Sequence, residues 1–223
     1  MKLSRYCALR TSSDPASMLS HRFQTIFVHV PKTAGQSIET IFLKQHGLTW
    51  RMRGELLLRA NSDRSAGPQR LAHLYAREYV ACGHVPAHDF SRYFKFAVVR
   101  NPYARAISEY RFRVPHGARS FHSFLGAIPS DDHDDRARHM APQVNFVCDR
   151  SGRVLVDRIL RYETLQEEIG PVFERIFGEQ QRLPHINRAP SGQTVELCSQ
   201  EARLVYRRFE ADFDFFGYPR RQK

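Results

Sequence analysis

Phe27-Val28-His29-Val30-Pro31-Lys32-Thr33-Ala34-Gly35-Gln36-Ser37-Ile38 joins a strand-like run to a helix-like one. The apolar run from Phe23 to Val30, rich in β-branched and aromatic residues, predicts a short strand. Pro31 cannot donate to a ladder and suits the strand's end. Ile38, Ile41 and Phe42 then recur with the spacing of one helix face, so a helix starts near Ser37 and stops near His46-Gly47. The connection holds a lysine, two hydroxyls and a glycine. At a helix N-terminus unpaired N–H groups converge and the dipole favours negative charge. Gly35 lets the backbone approach a ligand and Lys32 adds a full positive charge, so the loop can cradle a phosphate or sulfate.

The nucleotide triphosphate loop, G-x-x-x-x-G-K-[ST], sets its lysine after the second glycine. Here Lys32 precedes Gly35 and no first glycine is present. Turn chemistry alone would also place Lys, Thr and Gly in such a connection. A second segment weighs against that plainer reading. Phe94-Lys95-Phe96-Ala97-Val98-Val99 predicts another apolar strand, with Arg100 at its end and Pro102 in the first turn of a helix that runs to about Arg113. Arg100 would reach the crevice at the carboxyl ends of the strands. Arg105 and Ser108 fall on similar sides of that helix. An arginine fork with a serine hydroxyl suits a terminal phosphate.

Val30-Pro31-Lys32-Thr33-Ala34-Gly35-Gln36-Ser37, followed by Val99-Arg100-Asn101-Pro102-Tyr103-Ala104-Arg105-Ala106-Ile107-Ser108-Glu109-Tyr110, resembles the sulfotransferases that use 3′-phosphoadenosine 5′-phosphosulfate (PAPS). The likeness is greatest to the carbohydrate branch, including the heparan and dermatan 2-O-sulfotransferases, and to short bacterial-type members. It spans Phe23 to Tyr218 and is strong at the motifs. The resemblance implies that Lys32, Thr33, Ala34, Gly35, Gln36 and Ser37 hold the 5′-phosphosulfate, with Lys32 at the bridging oxygen. It implies that Arg100 and Ser108 hold the 3′-phosphate. It further implies a catalytic-base histidine in a Gly-His context after a strand, which is met by Gly83-His84, with His88 as the nearby competitor. Residue type alone favours a structural role for a lone histidine.

The chain has 223 residues, enough for one domain with a sizeable core. Residues 1–22 suggest a tail or lightly packed arm, and residues 23–219 a single domain. Lys+Arg 34 against Asp+Glu 23 gives a formal net charge of +11, which favours anionic partners without choosing among them. Cys7, Cys82, Cys148 and Cys198 are widely spaced, which argues against a zinc site or a disulfide scaffold. No run reaches the roughly 18 apolar residues that span a membrane, and the N-terminus lacks a signal-peptide core, so the expected setting is cytoplasmic.

Leu48 to Pro68, with Arg51, Arg53, Arg59 and Arg64, fits a solvated connection better than a basic lip for an acidic acceptor. Gln69 to Glu78 predicts a helix, Tyr79 to Gly83 a short buried strand, and Phe121 to Leu125 a short amphipathic stretch. Asp131-Asp132-His133-Asp134-Asp135 fits a solvated loop better than a metal site, since nothing in the sequence fixes ligand geometry. His139 to Gln143 resembles a family segment near the acceptor side, and Leu183 to Ala189 one that approaches the nucleotide. Val154 to Glu163 predicts a strand; Thr164 and Gly178 bracket a helix over Leu165–Phe177; Ser199 opens a last helix through Phe216.

Strands alternating with helices give an α/β, P-loop-like, three-layer fold with a central parallel sheet. The activity implied is O-sulfotransfer from PAPS to a hydroxyl of a carbohydrate, including an anionic glycan, with no metal required. Two alternatives are an ATP-dependent P-loop kinase and a non-catalytic polyanion binder. The displaced lysine counts against the first. For nucleic acid, no recognised motif appears and the aromatics do not interleave with basic residues.

Overall fold

A computed structural model describes residues 18–114, 118–184 and 196–220. Its sheet has four strands in spatial order: β1 (Leu19–Ser20), β2 (Thr25–Val28), β3 (Phe94–Val99) and β4 (Arg158–Arg161). Between β2 and β3 lie α1 (Gly35–His46), α2 (Glu78–Ala81) and α3 (Ala87–Arg92). Between β3 and β4 lie α4 (Pro102–Arg113), α5 (Phe121–Gly126), α6 (Asp135–His139) and α7 (Val144–Val147). After β4 come α8 (Leu165–Phe177), α9 (Ser199–Arg208) and α10 (Glu210–Phe216).

β2, β3 and β4 are parallel, with Phe27 opposite Phe96 and Val99 opposite Arg161, while β1 runs antiparallel beside β2. Strand alternation sends neighbouring residues to opposite faces, and the core divides accordingly. Phe27, Phe96, Val98 and Leu160 pack with Ile38 and Phe42 of α1 and Ile169 and Phe173 of α8. Ile26, Val28, Ala97 and Val99 pack on the other face with Tyr103 of α4, Val205 of α9 and Phe213 of α10. Helices on both faces of a parallel sheet make the expected three layers. Among the described residues no helix is long and apolar enough to cross a membrane.

Several elements differ from expectation, each for a local reason. Met18 and Leu19, expected in the tail, are buried, and Leu19 pairs with Ile26. Over Gln69–Glu78 only Leu71–His73 forms a 3₁₀ turn. The backbone there is already engaged with residues 59–61: Leu71 N–H donates to the Arg59 carbonyl and Asn61 N–H to that of Gln69. Tyr79–Gly83 is not a strand but the end of α2 and its turn. Both edges of β2 are taken by β1 and β3, and Glu78 nucleates a turn by accepting the Tyr75 N–H at 2.8 Å.

The strand expected over Val154–Glu163 shrinks to β4, because Val154 bridges Cys148 and Leu155 N–H donates to the Val147 carbonyl. The last helix breaks at buried Phe209 into α9 and α10. Its N-cap position is Cys198, whose N–H donates to Glu201 at 3.1 Å. α8 ends at left-handed Gly178 as expected, but Thr164 gives no side-chain cap. Of the loop from Leu183 to Ala189, residues 185–189 lie outside the described residues.

Candidate active site

Parallel strands end on one edge of the sheet, so the turns after β2, β3 and β4 carry Lys32, Arg100 and Tyr162 to the same crevice. In the first turn Lys32 (φ 70°) and Ala34 (φ 72°) are left-handed without being glycine. Each such residue costs about 1–3 kcal/mol and persists where its surroundings fix it. Here Thr33 Oγ1 donates to the Val30 carbonyl at 2.7 Å, and Arg100 Nη1 donates to the Lys32 carbonyl at 3.2 Å. Ala34 occupies the N-cap position of α1 and offers no side chain to the helix's first N–H groups. In the first turn of α1 Ser37 N–H donates to the Ala34 carbonyl at 3.0 Å, and a helix end without a side-chain cap suits an anion.

Gly35 sits flush on His29: a Cβ there would lie 1.8 Å from His29 Nε2. The imidazole is buried, with Nδ1 2.8 Å from Glu39 Oε1, an ion-pair distance without hydrogen-bond geometry. Thr33 and Ser37 are also buried, Ala34 is half-buried and Gln36 is exposed.

Lys32 reaches the second motif through its side chain as well, its Nζ lying 4.2 Å from the ring centre of Phe112 on α4. Burial pushes the Lys32 pKa down; Glu109 opposes this, while Arg100 and Arg113 add to it. Arg100 lies with its guanidinium 4.0 Å from the Tyr162 ring centre, and its buried Nε has no hydrogen-bond partner. A buried, unpaired donor of this kind is costly unless a ligand satisfies it. Buried Gln143 fixes the Arg100 backbone on both sides, accepting its N–H (2.9 Å) and donating to its carbonyl (2.8 Å). Asp212 in turn accepts the N–H groups of Gln143 and Val144, each at 2.9 Å.

On α4, Ser108 is half-buried, and its hydroxyl makes no hydrogen bond among the described residues. Arg105, expected to share its side, is instead fully buried and donates to the carbonyls of His139 and Ala141. It holds the segment after α6 and is not exposed to a ligand.

His84 is half-buried, its Nε2 2.7 Å from the Ala66 carbonyl. A carbonyl only accepts, so Nε2 carries the proton and Nδ1 the lone pair in the neutral ring. Among the described residues no hydrogen bond, ion pair or ring contact joins His84 to Lys32 or Arg100. Ala66 belongs to the segment that walls an open groove of about 740 Å³, lined by Ala60, Arg64, Arg70, Arg113, His133 and Asp135 among others. Arg113 thus connects the groove to the surroundings of Lys32. His88 is exposed and pairs with its neighbour Asp89.

A buried polar network adjoins this crevice. His139 Nδ1 lies 2.9 Å from Glu109 Oε2, and Arg113 binds both Glu109 (2.7 Å) and Asp135 (2.9 Å). Burial raises the Glu109 pKa, but the bonds from His139 and Arg113 outweigh it and hold the group down at about 2. The regular spacing of Arg105, Glu109 and Arg113 along α4 is the one signal that could have exposed this network in the sequence. Gln143 lies in a segment likened to the acceptor side and not to Arg100, and nothing in the sequence points to Asp212 or Tyr162.

An uncapped helix end, Lys32 and Arg100 thus meet in one crevice, with Arg113 shared between its surroundings and the groove. The profile of the sulfotransferase family matches residues 16–219, most of the chain. No curated protein and no solved structure matches. The family match identifies a transferase that moves a sulfuryl group, and the chain belongs to the sulfotransferase family.

Proposed function

We propose that the protein transfers the sulfuryl group of PAPS to a hydroxyl of a carbohydrate acceptor. The observation that carries this reading is the hydrogen bond from Arg100 Nη1 to the Lys32 carbonyl, which sets the two anion-binding turns side by side. A donor with phosphate at one end and phosphosulfate at the other needs two such turns. The unpaired Arg100 Nε and the uncapped end of α1 supply donors for it.

In this reading the loop from Lys32 through Ser37 holds the 5′-phosphosulfate. Its donors are backbone N–H groups, since the Thr33 hydroxyl is spent on Val30. Arg100 and Ser108 hold the 3′-phosphate. The acceptor oxygen attacks sulfur, the bond from sulfur to the bridging oxygen breaks, and adenosine 3′,5′-bisphosphate leaves. Lys32 faces the charge that grows on the bridging oxygen. His84 takes the acceptor's proton at Nδ1. Fixed cations and N–H groups can stabilise the transferred sulfuryl group without a metal. The groove beside Arg113, with Arg64 and Arg70 on its walls, suits a polyhydroxylated acceptor, including an anionic one.

The test is incubation of the full chain with ³⁵S-labelled PAPS and a panel of glycans, glycolipids and small alcohols, followed by mass analysis. Label should appear on a carbohydrate, and adenosine 3′,5′-bisphosphate should raise the melting temperature where Mg–ATP does not. A rise with Mg–ATP alone would support a kinase and overturn the proposal. Steeply salt-dependent glycan binding with no transfer would support a polyanion binder and also overturn it.

A further inference from the structure

We propose that His73, Asp135 and His139 bind one divalent first-row metal ion of the zinc type. The ion would brace α4, α6 and the Leu71–His73 turn beneath the crevice. This inference is independent of the donor reading.

The first support is geometric. Asp135 Oδ1 lies 3.1 Å from His73 Nδ1 and 3.6 Å from His139 Nε2, and one ligand atom from each of the three residues lies within 4.8 Å of the others. Zinc bonds of about 2.0–2.2 Å in a tetrahedron set neighbouring ligand atoms roughly 3.3–3.6 Å apart. Two of the three edges are already close to that length. Asp135 and His139 are four apart on one face of α6, and both imidazoles are buried.

The second support is the direction of the protons. Glu109 Oε1 accepts from Arg113 at 2.7 Å and its Oε2 faces the ring at 2.9 Å, so His139 donates from Nδ1. In the neutral ring Nε2 then turns its lone pair toward the Asp135 carboxylate. Two electron-rich atoms 3.6 Å apart in a largely buried setting call for a positive charge between them. A carboxylate behind the imidazole is also how metal-ligating histidines are oriented.

The third support is how Asp135 is divided. Its Oδ2 is held by Arg113 at 2.9 Å and approached by Arg70 at 3.7 Å, which leaves Oδ1 for the imidazoles. Glu109 and Asp135 bring two negative charges, and Arg113 is the cation hydrogen-bonded to both. Asp135 also lines the open groove, so a water can complete the coordination. Imidazole and carboxylate donors together suit zinc and its neighbours in the first row.

The competing occupants of the gap are protons: one on His73 Nδ1, donating to Asp135 Oδ1 at 3.1 Å, and one on His139 Nε2, giving an imidazolium clamped by two carboxylates. The full chain, stripped with chelator, is titrated with Co²⁺ by visible absorption and with Zn²⁺ by calorimetry. The proposal expects one equivalent of each, tetrahedral Co²⁺ bands displaced by Zn²⁺, and a melting temperature raised by Zn²⁺. His73→Gln should abolish the bands, and Glu109→Gln should weaken binding about 10–100-fold. Wild-type protein with neither bands nor a thermal shift overturns the proposal in favour of the protons, whether or not any variant folds. Metal binding unchanged by His73→Gln would overturn the ligand assignment.

Discussion

Arg100 donates to the carbonyl of Lys32 across 3.2 Å, so the turn after β3 holds the turn after β2 in its left-handed shape. A hydrogen bond to a charged group contributes about 1.5–3 kcal/mol, or 10–150-fold in affinity. If Arg100 also reads the 3′-phosphate, Arg100→Ala will weaken adenosine 3′,5′-bisphosphate by that order and leave adenosine 5′-monophosphate almost unchanged. Calorimetry with both nucleotides separates the roles. Equal losses for the two would confine Arg100 to shaping the loop.

Lys32 gives a pH dependence of definite sign. Burial, with Arg100 and Arg113, lowers its pKa in the free protein from the ordinary 10.5. A bound polyanion favours the ammonium and raises the pKa again, so binding above the free-state pKa takes up a proton. Once the ligand's phosphates are fully ionised, above a pH of about 6–7, affinity for adenosine 3′,5′-bisphosphate is therefore flat up to that pKa and falls above it, and Lys32→Met removes the alkaline limb. For folding, the native chain holds fewer protons than the unfolded one in this window. Stability attributable to Lys32 thus rises with pH from the lowered pKa toward 10.5. A melting temperature showing no such rise relative to Lys32→Met would contradict the assignment.

Gly35→Ala sets a methyl group 1.8 Å from His29 Nε2, and the buried ring beside Glu39 has little room to yield. Overpacking of this kind costs about 1–3 kcal/mol. Gly35→Ala should lower the melting temperature and weaken nucleotide binding, and His29→Ala in the same chain should recover part of both. Coupling between the two sites is the readout. Strictly additive effects would mean that the ring does not support the loop.

His84→Gln separates chemistry from structure at the proposed base. The glutamine Nε2 can keep donating to the Ala66 carbonyl as the imidazole does, but no basic nitrogen remains. Turnover should fall about 10²–10⁴-fold with nucleotide affinity and melting temperature unchanged. Turnover preserved in His84→Gln but lost in His84→Ala would make His84 a support for residues 64–66 and not a base.

The two motif segments were legible because each is local. A strand of alternating or continuous apolar residues, a turn and a helix with its own cap need only neighbours in sequence, as Asn101 shows by accepting the Tyr103 N–H at 3.0 Å to open α4. Elements whose backbone bonds run to distant partners were not. Gln69–Glu78 has helical spacing but spends the N–H groups of Gln69, Leu71 and Ala76 on the carbonyls of His133, Arg59 and Phe146. Tyr79–Gly83 has strand composition but finds no open edge beside β2.

The sequence by itself determined the layered α/β fold, the lysine loop and the arginine at the end of the second strand, since periodicity and turn chemistry act over a few residues. Only the tertiary structure decided what surrounds them. Gln143 reaches Arg100 from 43 residues further on and is held by Asp212 near the end of the chain, while His73, Glu109 and the α6 pair Asp135 and His139 converge from three elements. Buried polar groups must find partners wherever packing offers them, and packing joins residues that no sequence spacing connects.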